Sequence, residues 1–159
     1  ALPVDSMLVA LRSYAGLPHR TEFVAEHAGV CWYNDSKATN VGATLAAIDG
    51  LPGRIVLIAG GDGKGADFSQ LKAAVTRKVR ALILLGRDAD IIAGDVAGAA
   101  PITKVDDMRT AVREANALAQ PGDSVLLSPA CASFDMFQNY AQRGEVFMQA
   151  VLARISHHE

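Results

Sequence analysis

Short apolar runs alternate with amphipathic segments through most of the chain after residue 50. The pattern predicts four strands, at residues 54–59, 80–85, 102–105 and 124–127, and the long uninterrupted apolar runs at 55–59 and 81–85 predict buried ones. Apolar residues at helical spacing lie between them, which is typical of a parallel sheet covered by helices on both faces. The pattern therefore predicts an α/β fold with a mainly parallel sheet.

Three segments after residue 60 carry the helical periodicity. The first begins with Asp67 and Gln70, spaced as a capping box, and continues as an apolar stripe to Val79. The second opens at Asp106 and is stopped by Pro121. The third repeats apolar residues at four-residue intervals, namely Phe147, Val151 and Ile155.

The first third of the chain has a different pattern. Two strand-like runs, residues 22–26 and 30–34, flank Ala28-Gly29, and this arrangement predicts an N-terminal antiparallel hairpin. A helical pattern over residues 6–14 is broken after Tyr14 by glycine and proline. We therefore expect residues 1–15 to be an interdomain connector and residues 16–159 to form one domain.

Composition excludes several classes of function. The chain has 159 residues, a formal net charge of −2 and a pI of about 6.1, which gives no basic surface for nucleic acid. Its apolar runs are far shorter than the roughly 20 residues needed to span a membrane. The N-terminus has no signal-peptide pattern. We expect a cytoplasmic protein that binds neither nucleic acid nor membrane, in which Cys31 and Cys131 are thiols.

Three polar or glycine-rich loops are predicted to follow strands. They are residues 34–40 (Asn-Asp-Ser-Lys-Ala-Thr-Asn), 60–65 (Gly-Gly-Asp-Gly-Lys-Gly) and 128–135 (Ser-Pro-Ala-Cys-Ala-Ser-Phe-Asp). Ligands of open parallel sheets bind outside the carboxyl ends of the strands, so these loops are the candidate site.

Glycines in the second loop suggest a phosphate site, because they let backbone N–H groups approach an anion and Lys64 adds a positive charge. The loop matches neither common template. A P-loop would need glycine at Ile58 and a hydroxyl residue at Gly65, and a dinucleotide fingerprint would need two residues between its last two glycines. The alternative is a tight strand-to-helix turn with a solvated Lys64. The pattern leaves both interpretations open, but it does not predict a self-sufficient ATPase.

The first loop places Asp35 and Lys37 between a strand and a helix expected near Val41. An acid there can accept the two hydroxyls of a ribose, and a lysine can balance phosphate charge at a helix N-terminus. The alternative is a polar turn in which Thr39 or Asn40 caps the helix.

The third loop has small residues ahead of a helix. Ala130, Ala132 and Ser133 would leave N–H groups and one hydroxyl available to a carboxylate, and a well-packed turn is the alternative. A catalytic triad is not predicted, because His19 and His27 are far from this loop in the sequence.

Together the three loops resemble those of the Mur ligases. The resemblance runs from residues 16–20 through the loops to the stretch 127–144, in the same order, and covers most of the chain. Folylpolyglutamate synthases and Mur ligases for other amino acids differ in the third loop. Residues 128–133 are similar to those of family members that add D-glutamate to UDP-N-acetylmuramoyl-L-alanine in peptidoglycan synthesis.

The resemblance implies a Rossmann-like domain, the C-terminal one of three, that binds D-glutamate and closes over ATP. The P-loop and the Mg²⁺ ligands would lie in the central domain, outside this chain, and UDP-N-acetylmuramoyl-L-alanine would bind mainly to the other two domains. This chain is then expected to hold no metal and to be inactive by itself.

The resemblance also implies roles for individual residues. Arg20 and Asp35 would contact ATP, with Asp35 on the ribose, and Lys37 would be catalytic, near the transferred phosphate and the substrate carboxylates. The D-glutamate site would consist of Thr39, Lys64, Ser133, Phe134 and Tyr140. Many family members have phenylalanine where this chain has Tyr140, so the ring is kept and a hydroxyl is added.

Two alternatives remain at this point. One is a stand-alone Rossmann-like nucleotide-binding module, which would bind nucleotide without any partner domain. The other is a related ligase for a different amino acid. The first alternative is a binding protein instead of an enzyme, whereas the second is the same class of enzyme with a different amino-acid substrate.

Overall fold

A computed structural model describes residues 16–156 of the chain. Its strands are β1 (Glu22–His27), β2 (Val30–Asn34), β3 (Ile55–Ala59), β4 (Val79–Leu84), β5 (Ile102–Lys104) and β6 (Ser124–Leu127). Its helices are α1 (Val41–Gly50), α2 (Lys72–Lys78), α3 (Ala89–Asp95), α4 (Met108–Leu118) and α5 (Tyr140–Ser156). The predicted connector, with its helix over residues 6–14, and the histidines 157 and 158 lie outside the described residues.

The strands form one six-stranded sheet in the order β1-β2-β6-β3-β4-β5. β1 pairs with β2 in antiparallel orientation, and every other neighbouring pair is parallel. The hairpin turn is at Ala28 and Gly29, both with positive φ, as a type I′ hairpin turn requires. The predicted α/β fold with an N-terminal antiparallel hairpin is confirmed.

Two apolar cores lie on opposite faces of the sheet. In β3, Ile55 and Leu57 pack in the core formed with α1, α2 and α3, whereas Val56 and Ile58 pack in the core formed with α4 and α5. All four side chains are fully buried. A strand covered on both faces has no position for a polar side chain, which explains why β3 is a continuous apolar run rather than an alternating one.

Two details of the helix prediction are wrong. The stripe that ends at Val79 is not one helix, because Phe68–Leu71 is a 3₁₀ turn, α2 follows, and Val79 begins β4. Asp67 does cap this turn by accepting from the N–H of Ser69, but Gln70 donates to the Asp67 carbonyl instead of completing a capping box. Helix α3 was not predicted, since only seven residues form it and only Ile92 is fully buried.

The strand order determines which loops meet. β6 lies between β2 and β3, so the loops that follow these three strands are neighbours at the carboxyl edge of the sheet. These are the same three loops that carry the candidate chemistry. None of the described helices is long and apolar enough to cross a membrane.

Candidate functional site

Backbone hydrogen bonds join the three loops into one unit. Ala130 of the third loop donates to Ala38 of the first loop at 3.0 Å. Ala132 exchanges two backbone bonds with Asp62 of the glycine loop, at 2.9 and 3.0 Å. The third loop is therefore the centre of the site, and its Ala130 and Ala132 N–H groups are not available to a ligand.

Close backbone packing explains the glycines of the second loop. Gly60 has φ of 121°, and a Cβ there would lie 1.9 Å from the carbonyl oxygen of Leu85. Several of the loop's N–H groups bond within the protein: Gly60 to a carbonyl of the third loop at 2.9 Å, Gly63 to Asp88 at 2.7 Å and Lys64 to Asp62 at 3.0 Å. Donors that are already bonded cannot cradle a phosphate. The turn interpretation is favoured, and Lys64 is exposed.

Arg20, Asp35 and Lys37 line one open cavity of about 360 Å³ at the end of β2. It is also lined by α1, which contributes the small residues Ala43, Ala46, Ala47 and Gly50. The helix begins where the sequence predicts, with Asn40 as its N-cap accepting from Ala43 at 2.9 Å. Two cations and one carboxylate beside an apolar wall can accommodate a ligand with both a flat ring and anionic groups.

Asp35 is held rigidly in this cavity and is only 7% exposed. One carboxylate oxygen accepts from the N–H of Thr21 at 3.0 Å, and the other accepts from the hydroxyl of Ser128 at 2.8 Å. Burial raises the pKa of the Asp35 carboxyl, and these hydrogen bonds together with the charge of Arg20 oppose the rise. Each carboxylate oxygen has further lone pairs, so Asp35 can still accept hydroxyl groups of a ligand.

Lys37 meets Tyr140 across the first loop. Its Nζ donates to the Tyr140 hydroxyl at 2.9 Å and lies 4.1 Å from the centroid of the ring. Tyr140 was predicted as part of the amino-acid site with Lys64, but the structure brings it to Lys37 on the cavity side.

The remaining predicted residues lie near the third loop. Lys64 Nζ is 5.9 Å from the ring centroid of Phe134, whose side chain is 68% exposed. Thr39 is exposed, whereas Ser133 is only 2% exposed. The expected helix N-terminus close behind Ser133 is wrong, because residues 134–139 form turns and bends and α5 begins at Tyr140.

Sequence reasoning missed Arg143, the buried link between the first and third loops. Its guanidinium donates to the hydroxyl and carbonyl of Ser36 at 2.9 and 2.8 Å and to the carbonyl of Cys131 at 3.0 Å. Burial lowers the pKa of Arg143 to about 10. A signal was present in the sequence, since Arg143 continues the buried α5 stripe of Phe147 and Val151 by one turn.

His19 is also part of the site, although it is distant in sequence from the third loop. Its Nδ1 is 2.9 Å from the side-chain nitrogen of Asn34, which also donates to Glu22. The Asn34 side-chain oxygen accepts from the N–H of Ser36, so its amide nitrogen faces His19 and Nδ1 acts as the acceptor. Gly144 makes this packing possible, because a Cβ there would lie 2.2 Å from His19 Nδ1. His19 bonds to an amide, which gives no support to a triad.

The site presents cations at its surface and few groups suited to covalent chemistry. Arg20 and Lys64 are exposed and Lys37 is half-buried. Burial raises the pKa of the Cys131 thiol to about 12, so this cysteine is not a thiolate nucleophile at neutral pH. Within residues 16–156, no three His, Cys, Asp or Glu side chains are arranged to hold a metal ion. The arrangement can bind and orient an anionic ligand.

Comparison with known proteins gives a family match. The family model described as "Mur ligase, glutamate ligase domain" matches residues 19–131. The UDP-N-acetylmuramoylalanine–D-glutamate ligases of Pseudomonas syringae, Pseudomonas aeruginosa and Nitrosococcus oceani are 60%, 56% and 55% identical to the chain. Each alignment covers 94% of this chain and 34% of the relative, in its C-terminal part. The chain thus spans about a third of the length of these relatives.

Solved structures of low sequence identity share the fold. The UDP-N-acetylmuramate-alanine ligase of Thermotoga maritima aligns with a TM-score of 0.69 at 9% identity, over 99% of this chain and 34% of that one. A MurF ligase of the same organism, in complex with ADP, aligns with a TM-score of 0.64 at 16% identity, over 98% and 37%. A Yersinia pestis folylpolyglutamate synthase/dihydrofolate synthase aligns with a TM-score of 0.66 at 19% identity, over 94% and 35%.

Proposed function

Because this chain belongs to the Mur ligase family, we propose that it is the C-terminal domain of the ATP-dependent ligase that adds D-glutamate to UDP-N-acetylmuramoyl-L-alanine in bacterial peptidoglycan synthesis. The observation that carries the proposal is the convergence of the three loops, which gathers Arg20, Asp35, Lys37 and Lys64 at one edge of the sheet. The names of relatives 55–60% identical to the chain support the choice of substrate.

ATP would bind on the cavity side of the site. The Asp35 carboxylate, fixed by Thr21 and Ser128, would accept hydroxyls of the ribose. Arg20 and Lys37 would contact the phosphates, because both line the same cavity and both carry positive charge. Lys37 would be the catalytic residue, since it would lie nearest the transferred phosphate.

D-Glutamate would bind on the side of Lys64 and Phe134. Lys64 is an exposed ammonium that can pair with a carboxylate, and the exposed ring of Phe134 can cover the aliphatic part of the amino acid. Thr39 and Ser133 would complete the pocket, and Tyr140 would border it on the side of Lys37. Because Ser133 is buried, its hydroxyl could bind only a ligand that directly contacts the third loop.

The chemical step would be attack of the D-glutamate amine on a carboxylate that ATP has activated as an acyl phosphate. The domain would contribute orientation, since holding the amine against the acyl phosphate makes the step effectively unimolecular, which is worth up to about 7–11 kcal/mol. Closure over the nucleotide would also exclude water from the intermediate.

Residues 16–159 would be this domain, and residues 1–15 would connect it to the preceding part of a cytoplasmic enzyme. The described residues offer no magnesium site, and we propose that Mg²⁺ and the P-loop belong to the central domain. The chain alone should then release no ADP from ATP in the presence of both other substrates. Substrate-dependent ADP release by the pure chain would contradict the proposal.

Lys64→Ala in the full-length ligase should raise the KM for D-glutamate more than the KM for ATP. Loss of a charge-assisted bond to a carboxylate costs about 1.5–3 kcal/mol, or roughly 10- to 150-fold in affinity. Steady-state kinetics with each substrate varied in turn would measure it. Lys72→Ala, which removes another exposed lysine on α2, is the matched control. Equal increases in both KM values would place Lys64 at the phosphates instead.

A further inference from the structure

The hydroxyl of Tyr140 makes a contact that a phenylalanine at this position could not make. Lys37 Nζ lies 4.1 Å from the centroid of the Tyr140 ring, and a phenylalanine would keep this cation–π contact. The 2.9 Å hydrogen bond from Nζ to the phenol oxygen requires tyrosine. The hydroxyl therefore gives Lys37 a partner with a defined direction in addition to the ring face.

Tyr140 is itself fixed by the loops that form the site. Its carbonyl oxygen accepts from the Ser36 hydroxyl at 2.7 Å, and the same hydroxyl accepts from Arg143 at 2.9 Å. Its ring meets the buried His19 ring edge to face, with centroids 5.9 Å apart and planes at 78°. The phenol oxygen is thus a rigid point, tied to both the first loop and α5.

A rigid acceptor matters because the lysine side chain is flexible. Four rotatable bonds give Lys37 rotamer entropy to lose when its ammonium is placed on a ligand. The backbone N–H of Lys37 donates to the His19 carbonyl at 3.0 Å, which fixes the base of the side chain. Tyr140 fixes the end of the side chain. The ammonium is then positioned at the cavity before any ligand binds.

We propose that Tyr140 is a positioning residue whose hydroxyl holds the Lys37 ammonium at the cavity beside Asp35. The inference rests on the proposed function, because it takes Lys37 as the group that contacts the reacting phosphate. The phenol oxygen accepts from Nζ, so its own proton is directed elsewhere and the ammonium keeps its other two N–H groups for the ligand.

A double-mutant cycle in the full-length ligase tests this role. The cycle compares the variants Tyr140→Phe, Lys37→Met and the double variant. Radiolabelled D-glutamate makes the assay sensitive enough to measure the low activity of the Lys37→Met enzymes. Tyr140→Phe should lower kcat about tenfold, the effect of one charge-assisted hydrogen bond, while the KM for UDP-N-acetylmuramoyl-L-alanine stays within twofold. In the Lys37→Met background the same change should alter kcat less than twofold.

A matched control separates this effect from loss of a phenol hydroxyl in general. Tyr33→Phe removes the hydroxyl of a half-buried tyrosine on β2 whose ring packs against Phe23, and it should leave kcat unchanged. Thermal unfolding midpoints of all variants would show whether folding is affected. A tenfold loss from Tyr140→Phe in both backgrounds would mean that the hydroxyl acts independently of Lys37, which would overturn the inference.

The failure of the inference is distinguishable from failure of the proposed function. If wild-type full-length protein makes no D-glutamate adduct, the proposed function itself is wrong. If the wild type is active and Tyr140→Phe is equally active, the function stands and the positioning role is wrong.

Discussion

Replacing Gly60 with alanine is expected to destabilise the fold by about 3–5 kcal/mol. The new Cβ would lie 1.9 Å from the Leu85 carbonyl oxygen, and φ of 121° is a conformation that L-residues rarely adopt. Relief would require β3 and β4 to separate where Leu85 donates to Ala59. Strain of this kind and overpacking each cost about 1–3 kcal/mol. Their sum is a large share of a typical domain's free energy of unfolding, about 5–15 kcal/mol.

Urea unfolding followed by tryptophan fluorescence would measure the change. Trp32 is the single tryptophan of the chain and is 1% exposed, so its emission reports directly on the core. Gly94→Ala on α3 is the control, because no atom lies within 4 Å of the added Cβ and its φ is ordinary. That variant should be as stable as the wild type or up to about 1 kcal/mol more stable. If Gly60→Ala and Gly94→Ala were equally stable to urea, the Leu85 carbonyl could not lie as close to Gly60 as the structure has it.

Arg143→Met should also destabilise the protein, by about 3–5 kcal/mol, and should weaken the site as well. Methionine can fill most of the volume, but it leaves the carbonyls of Ser36 and Cys131 buried without their donor, at about 1–3 kcal/mol each. The first and third loops would lose their side-chain link. In the full-length ligase we therefore expect higher KM values for both ATP and D-glutamate.

Arg113→Met is the matched control for this change. Arg113 lies on α4 with its side chain 60% exposed and pairs with the neighbouring Glu114, so its loss should cost less than about 0.5 kcal/mol. The same urea experiment compares the two variants. An Arg143→Met protein as stable as Arg113→Met would mean that the guanidinium contributes nothing to joining the loops.

Local patterns were sufficient to predict most of the fold. β3, β4 and β6 are apolar runs because they are central strands whose residues are almost all buried, whereas β5 is a partly exposed strand at the edge of the sheet. Each predicted boundary of the four lies within one residue of the observed one. The patterns failed where a helix passes into a strand with no change in the type of residue. Val79 continues the helical spacing but begins β4, where it pairs with Ile55 of β3, and its β-branched side chain favours a strand.

The candidate site was predictable only as far as it is local in sequence. Asp35 and Lys37 could be placed at one cavity because they are two residues apart on a loop that follows a strand. The bonds of Arg143 to Ser36 and the contact of Tyr140 with Lys37 join residues more than 100 positions apart, which no spacing rule addresses. The placement of Tyr140 beside Lys37 therefore required the three-dimensional structure.

An amino-acid panel with the full-length enzyme tests whether this domain belongs to a ligase for D-glutamate. ADP release and product mass would be measured with ATP, Mg²⁺ and UDP-N-acetylmuramoyl-L-alanine, adding D-glutamate, L-glutamate, D-aspartate, L-lysine or meso-diaminopimelate in turn. We expect efficient ligation with D-glutamate alone, at a kcat/KM at least about 100-fold above that of any other amino acid, because a substrate with a missing or misplaced carboxylate would leave polar groups of the site unpaired. Preferred ligation of a different amino acid, or no ATP-dependent ligation at all, would contradict it.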